Sequence, residues 1–137
     1  MTSQETRLKR VVLVRIDQGE DILRSLERAT LREKIASGAI LSGVGSVSTY
    51  RYHVVGEVAG PSNDVFNEGS ESNDVDSING LIIDGRVHAH IMFSNVERAF
   101  GGHLEEGCAV FTFVAVVIAE CEHICISDWD GIGKLYQ

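Results

Sequence analysis

Three of the five histidines stand close together, in His88-Ala89-His90 and in Gly101-Gly102-His103-Leu104. In an extended strand, residues i and i+2 point to the same face about 6.6 Å apart, at a rise of roughly 3.3 Å per residue. Both imidazoles can then reach one ion at nitrogen–metal distances of about 2.0 Å. The two glycines before His103 open backbone angles closed to other residues, which predicts a sharp turn presenting a third imidazole to a neighbouring strand. Three neutral imidazoles suit Zn²⁺, and three protein ligands with an open fourth position is the arrangement of catalytic rather than closed structural zinc. The same His88–His90 pair also reads as two polar residues on a solvated face; His103 behind its glycines brings the ion level with that reading, and spacing alone does not choose between them. A cupin would need a Glu four or five positions after the second His, where Ser94 and Asn95 stand, and Glu97 comes too late.

Other reactive groups give weaker patterns. Cys121, His123 and Cys125 alternate as if along one strand face, but three consecutive ligands on one strand reach a single ion poorly, and free cysteines tend to be buried. His53 stands alone, as readily structural as functional. There is no GxSxG, and no helix N-terminus stands beside Cys108 to activate its thiol, so any enzyme chemistry falls to the metal. Its proton-transfer partner would come from Glu105, Glu106 or Asp84, none at a decisive spacing. Arg24, Arg28 and Arg32 form an i, i+4, i+8 stripe that offers an anion-binding face or, with Glu20, Glu27 and Glu33 interleaved, an ordinary solvated one; the second is favoured. Gly43 and Gly45 make only a GxG without P-loop register and read as a bulge or close backbone approach.

The elements that must position these residues follow from periodicity. Arg10 to Ile16 reads as a β-branched strand stopping at Asp17-Gln18-Gly19. A helix follows, with Glu20 and Asp21 in its first turn, Ile22, Leu23, Leu26 and Ile35 at helical spacing, and Gly38 as its stop. Ala39-Ile40-Leu41 and Val47 to Val55 are apolar stretches on either side of Ser42-Gly43-Val44-Gly45-Ser46. Gly56 to Asp76, with the only proline, Pro61, reads as a long surface loop. Ser77 to Ile83 and Arg86 to Phe93 form a hairpin across Asp84-Gly85. Val110 to Ala119 is almost continuously apolar, which predicts cover on both faces, one of them from a neighbouring subunit.

A chain of 137 residues, 44% hydrophobic and 23% charged, suits one folded domain over residues 1–137. Val11 to Val14 is too short for a signal peptide's apolar region, and no apolar run is long enough for a membrane helix. Three cysteines without a CxxC pair fit a reducing compartment, so a soluble cytoplasmic protein is expected. The formal charge of −8 opposes direct binding to a nucleic-acid backbone.

Leu13-Val14-Arg15-Ile16 with Gly19-Glu20-Asp21-Ile22, Gly38 to Ser48, Ile78-Asn79-Gly80, His88-Ala89-His90 and Gly101-Gly102-His103-Leu104 together resemble the plant-and-prokaryote-conserved domain. Ser127-Asp128-Trp129-Asp130-Gly131 to Leu135 resembles that family's closing segment. The resemblance implies an α+β fold, an antiparallel sheet with one main packed helix, assembled as a homotrimer. Stand-alone prokaryotic members often carry a DNA-binding label taken from plant relatives with AT-hooks. This chain has no Arg-Gly-Arg-Pro hook, so direct DNA binding by it alone is not expected. Two functions fit: a trimeric zinc-binding module for assembly or small-ligand sensing at the metal, or a zinc-dependent enzyme that activates water at the three-histidine site.

Overall fold

In the computed structural model, which describes residues 1–56 and 63–131, the β-branched runs become long strands. The elements are β1 (Arg7–Asp17), α1 (Ile22–Glu33), β2 (Ser37–Val47), β3 (Tyr50–Val55), β4 (Asp64–Gly69), β5 (Asn73–Ile83), β6 (Arg86–Ser94), β7 (Ala99–Leu104) and β8 (Val110–Glu122). The strands form one eight-stranded sheet in the order β1-β8-β2-β5-β6-β7-β3-β4. All neighbours run antiparallel. An antiparallel sheet with one helix is the α+β class expected from the sequence. No helix among the described residues is long and apolar enough to cross a membrane.

Alternation along the strands decides what is buried. Val14 and Ile16 of β1, Val114, Val116 and Ile118 of β8, Ile78 and Ile82 of β5, and Ala89, Ile91 and Phe93 of β6 point to one face, where Ile22, Leu26 and Ala29 of α1 join them in a continuous core. Each such valine, leucine, isoleucine or phenylalanine contributes roughly 1.5–3 kcal/mol on burial. The β5–β6 hairpin closes as predicted: Asp84 and Gly85 have φ of 51° and 77°, the two positive values of a type I′ turn.

Several local expectations give way. Asp21 is the N-cap rather than a first-turn residue, its carboxylate accepting from Arg24 N at 3.0 Å. The helix ends at Glu33, not Gly38: Lys34 turns left-handed and Ile35 N donates to Thr30 O at 2.9 Å. Gly38 lies inside β2, whereas the bulge and close approach expected around Gly43 and Gly45 are present within that strand, as register shifts against β8 and as contact of Gly45 with the Phe113 carbonyl. The expected loop from Gly56 to Asp76 contains the strand β4, paired with β3, and the start of β5. A polar edge strand looks like a loop because charged residues are what an edge uses to resist further pairing. Pro61 and Ser62 of that stretch, and Leu135 of the closing segment, lie outside the described residues.

β8 is covered along its core face, and its outer face is buried only at the Ala119 end. The rest of that outer face leaves Phe111 and Phe113 exposed, beside Val11 and Leu13 of β1 and Val44 of β2. The neighbour expected over that face is not part of this single chain.

Candidate metal centre

His88 and His90 stand on β6 with Ala89 turned into the core between them, so both imidazoles share the outer face. Register does the rest. His90 is opposite His103 across the β6–β7 ladder, and His103 is opposite His53 across the β7–β3 ladder. Four imidazoles therefore meet on one patch. Ring centroids lie 4.7 Å apart for His88–His103, 5.6 Å for His90–His103, 6.2 Å for His88–His90 and 4.5 Å for His53–His103. Beneath them Tyr50, Tyr52, Phe93 and Phe100 pack as a cluster of tilted rings, with Tyr50 edge-on to Phe100 at 4.8 Å between centroids, tying β3, β6 and β7 together from the inner side.

The glycines before His103 act differently from the predicted turn. Gly101 and Gly102 are residues of β7 itself. A Cβ on Gly101 would collide with the Ile91 carbonyl and one on Gly102 with the His53 carbonyl. Their missing side chains let β7 sit close between β6 and β3, and His103 gains its position through that close approach.

The ligand atoms of His88, His90 and His103 all lie within 4.8 Å of one another. Ligands on one tetrahedral ion sit about 3.3 Å apart, so small ring rotations bring the three nitrogens to it. Burial pushes the His90 imidazole below its ordinary pKa, and the charges of His88 and His53 add to this. His103 is lowered as well, by burial first and then by His53 and His88, with Glu105 acting the other way. Both shifts favour the neutral ring that a metal binds. The donor set therefore fits a divalent ion of zinc type.

Of the carboxylates considered from the sequence, only Glu105 reaches the patch, its Oε1 2.7 Å from His53 Nδ1. Glu106 pairs with Arg24 near the start of α1, and Asp84 accepts from Ser127 Oγ at 3.2 Å. His53 is the functional candidate that sequence reasoning left isolated. Alternation in Tyr50-Arg51-Tyr52-His53 puts it on the face opposite the tyrosines, but only the long-range β3–β7 register brings it to His103. Cys121, His123 and Cys125 do not share a strand face: β8 ends at Glu122 and His123 has φ 52°. Cys108 is buried, and burial pushes its thiol up to about 12, which leaves it unreactive. In the arginine stripe, Arg24 meets Glu106, Arg28 meets Glu20 at 2.7 Å and Arg32 meets Glu33 at 3.2 Å, the solvated ion-paired face favoured from the sequence.

The Plants and Prokaryotes Conserved domain matches this chain over residues 3–122. A curated relative, the bifunctional protein GlmU of Synechococcus, is 30% identical over 112 residues, which are 81% of this chain and 17% of the relative. The chain thus spans less than a fifth of that protein's length. Among solved structures, a metal-containing protein from Archaeoglobus fulgidus superposes with a TM-score of 0.77 at 22% identity, over 88% of this chain and 86% of the other. A plant- and prokaryote-conserved protein from Pyrococcus horikoshii does so with a TM-score of 0.76 at 24% identity, over 91% and 87%. At such identities the likeness is one of fold.

Proposed function

The chain belongs to the Plants and Prokaryotes Conserved domain family, and on that premise we propose that it is a zinc-binding module with His88, His90 and His103 as the ligands. The observation that carries this reading is the convergence of three imidazole nitrogens within 4.8 Å on one sheet face. The A. fulgidus protein of like fold is metal-containing, which supports it. A bound divalent ion would supply Lewis acidity at an open position. The chain's own part is to hold the three rings on β6 and β7, favour the neutral form of His90 and His103, and wall one side of the ion with His53 and Glu105. Protein loaded with zinc and then desalted should retain close to one equivalent per chain. His88→Ala should hold zinc more weakly and lose it on desalting, while His123→Ala should keep it; the reverse pattern would refute the assignment.

A second reading, a zinc-dependent enzyme, draws on one observation: Glu105, the only one of the carboxylates considered from the sequence that reaches this patch, is hydrogen-bonded there to His53. A screen for hydrolase and hydratase activity of the metal-loaded protein separates the two. The module is read as a homotrimer of one domain that does not bind duplex DNA by itself, since its net charge is −8 and its helix arginines are already paired with carboxylates.

A further inference from the structure

The outer face carries a second set of donors that the three-histidine site leaves unused. His53, His103 and Glu105 also bring one ligand atom each to within 4.8 Å of the others. We propose that these three form a second, overlapping divalent-cation site, and that His103 is a pivot by which one ion is held by either triad. Only the alternation rests on reading His88, His90 and His103 as ligands; the second triad stands on its own geometry.

That geometry is built in. The β3–β7 register sets His53 opposite His103, their ring centroids 4.5 Å apart and planes 32° from parallel. Glu105 is brought over His53 because its backbone nitrogen donates to Arg51 O at 3.2 Å, just past the end of β7. The His53 and Glu105 side chains are 17% and 26% exposed, so their attraction for a cation is less screened than at an open surface. Their N···O separation of 2.7 Å holds one proton. Two ligand atoms on one ion at about 2.0–2.2 Å each lie roughly 3.3 Å apart, so a cation takes the place of that proton once the two atoms part by about half an ångström. The ring proton moves to Nε2, which faces Asp64 Oδ1 at 3.9 Å. A carboxylate behind the far nitrogen is the usual outer support of a metal-bound histidine.

A neutral imidazole has one free lone pair, so His103 serves one ion at a time and the triads compete. Their chemistry differs. Two imidazoles and a carboxylate add a hard oxygen donor and a negative charge, which favours Mn²⁺ or Fe²⁺ relative to an all-imidazole set suited to Zn²⁺.

The test is equilibrium dialysis of the full chain against Zn²⁺ and against Mn²⁺, with bound metal measured directly and circular dichroism confirming the fold. His88→Ala/His90→Ala should still bind one equivalent, with zinc affinity weakened up to about 100-fold and manganese affinity changed less. Adding His53→Ala to that pair should remove binding. Binding by His88→Ala/His90→Ala no better than by His103→Ala would overturn the second triad, and two equivalents on the wild-type chain would overturn the pivot. His53→Ala/Glu105→Gln isolates the three-histidine reading: loss of binding there strikes that reading and leaves the second triad as the site. If the double alanine variant melts early, His88→Gln/His90→Gln repeats the measurement with side chains that still cover the strand.

Discussion

Neutral imidazoles are the currency of this patch, and burial together with the mutual charge of the rings keeps His90 and His103 below their ordinary pKa. A lowered histidine pKa means the unfolded chain takes up protons more readily than the folded one. The stability tied to these rings is therefore present above the ordinary imidazole value of about 6.5 and is lost as pH falls through the lowered folded values. Ion binding follows the same sign, because each ligand must shed a proton before it can bind. Zinc affinity, measured by competition with a chelator, should be level from pH 8 to 7. Below the ordinary imidazole range it should fall, approaching tenfold per pH unit for each ring that has become protonated. An affinity unchanged down to pH 5 would mean that the ligands are not imidazoles. Pairing His88 with His90 was legible in the sequence, since i and i+2 on a strand share a face whatever surrounds them. His53 was not, because nothing near it in the chain specifies which strand lies alongside.

At the scale of elements, the strands that local chemistry announces are those with β-branched runs or a tight turn: β1, β6, β8 and the Asp84-Gly85 hairpin were all readable. β4 and β7 were not. The first is a charged edge strand, and the second hides behind Gly101-Gly102, a pair that reads as a turn until its neighbours are known. The physical role of those glycines is testable. Gly102→Ala places a methyl group against the His53 carbonyl, so β3 and β7 must part. Overpacking of this kind costs about 1–3 kcal/mol, which for a chain of this length lowers Tm by roughly 3–12 °C. His53 should also move away from His103. Gly85→Ala is the comparison: its added carbon meets nothing closer than Ile35 O at 3.8 Å, so it carries only the strain of φ 77° and should leave metal binding intact. An unchanged melting temperature for Gly102→Ala would show that the β3–β7 spacing is soft and does not hold the patch.

For the whole molecule, one row of paired residues runs across the sheet from His88 through Leu81, Ala39 and Ala119 to Val11, all directed to the same outer face. The histidine patch and the apolar stripe thus lie on the same side of the sheet, with Ala119 buried between them, and the β1, β8 and β2 part exposes Val11, Leu13, Val44, Phe111 and Phe113. Covering each such side chain contributes roughly 1.5–3 kcal/mol, so even partial cover of several offsets a large share of the cost of association. Face-to-face contact is favoured over pairing at the β1 edge, where Arg7, Lys9, Arg10 and Arg15 resist a further strand. Closed cyclic symmetry lets association stop at a small number of copies, and the family resemblance points to three. Light scattering at micromolar concentration should give a trimer mass for the wild-type chain and a smaller mass for Val11→Asp/Leu13→Asp with its circular dichroism retained. A dimer would keep the burial argument and remove the number three. A wild-type monomer would leave the stripe without a partner and reject self-association altogether.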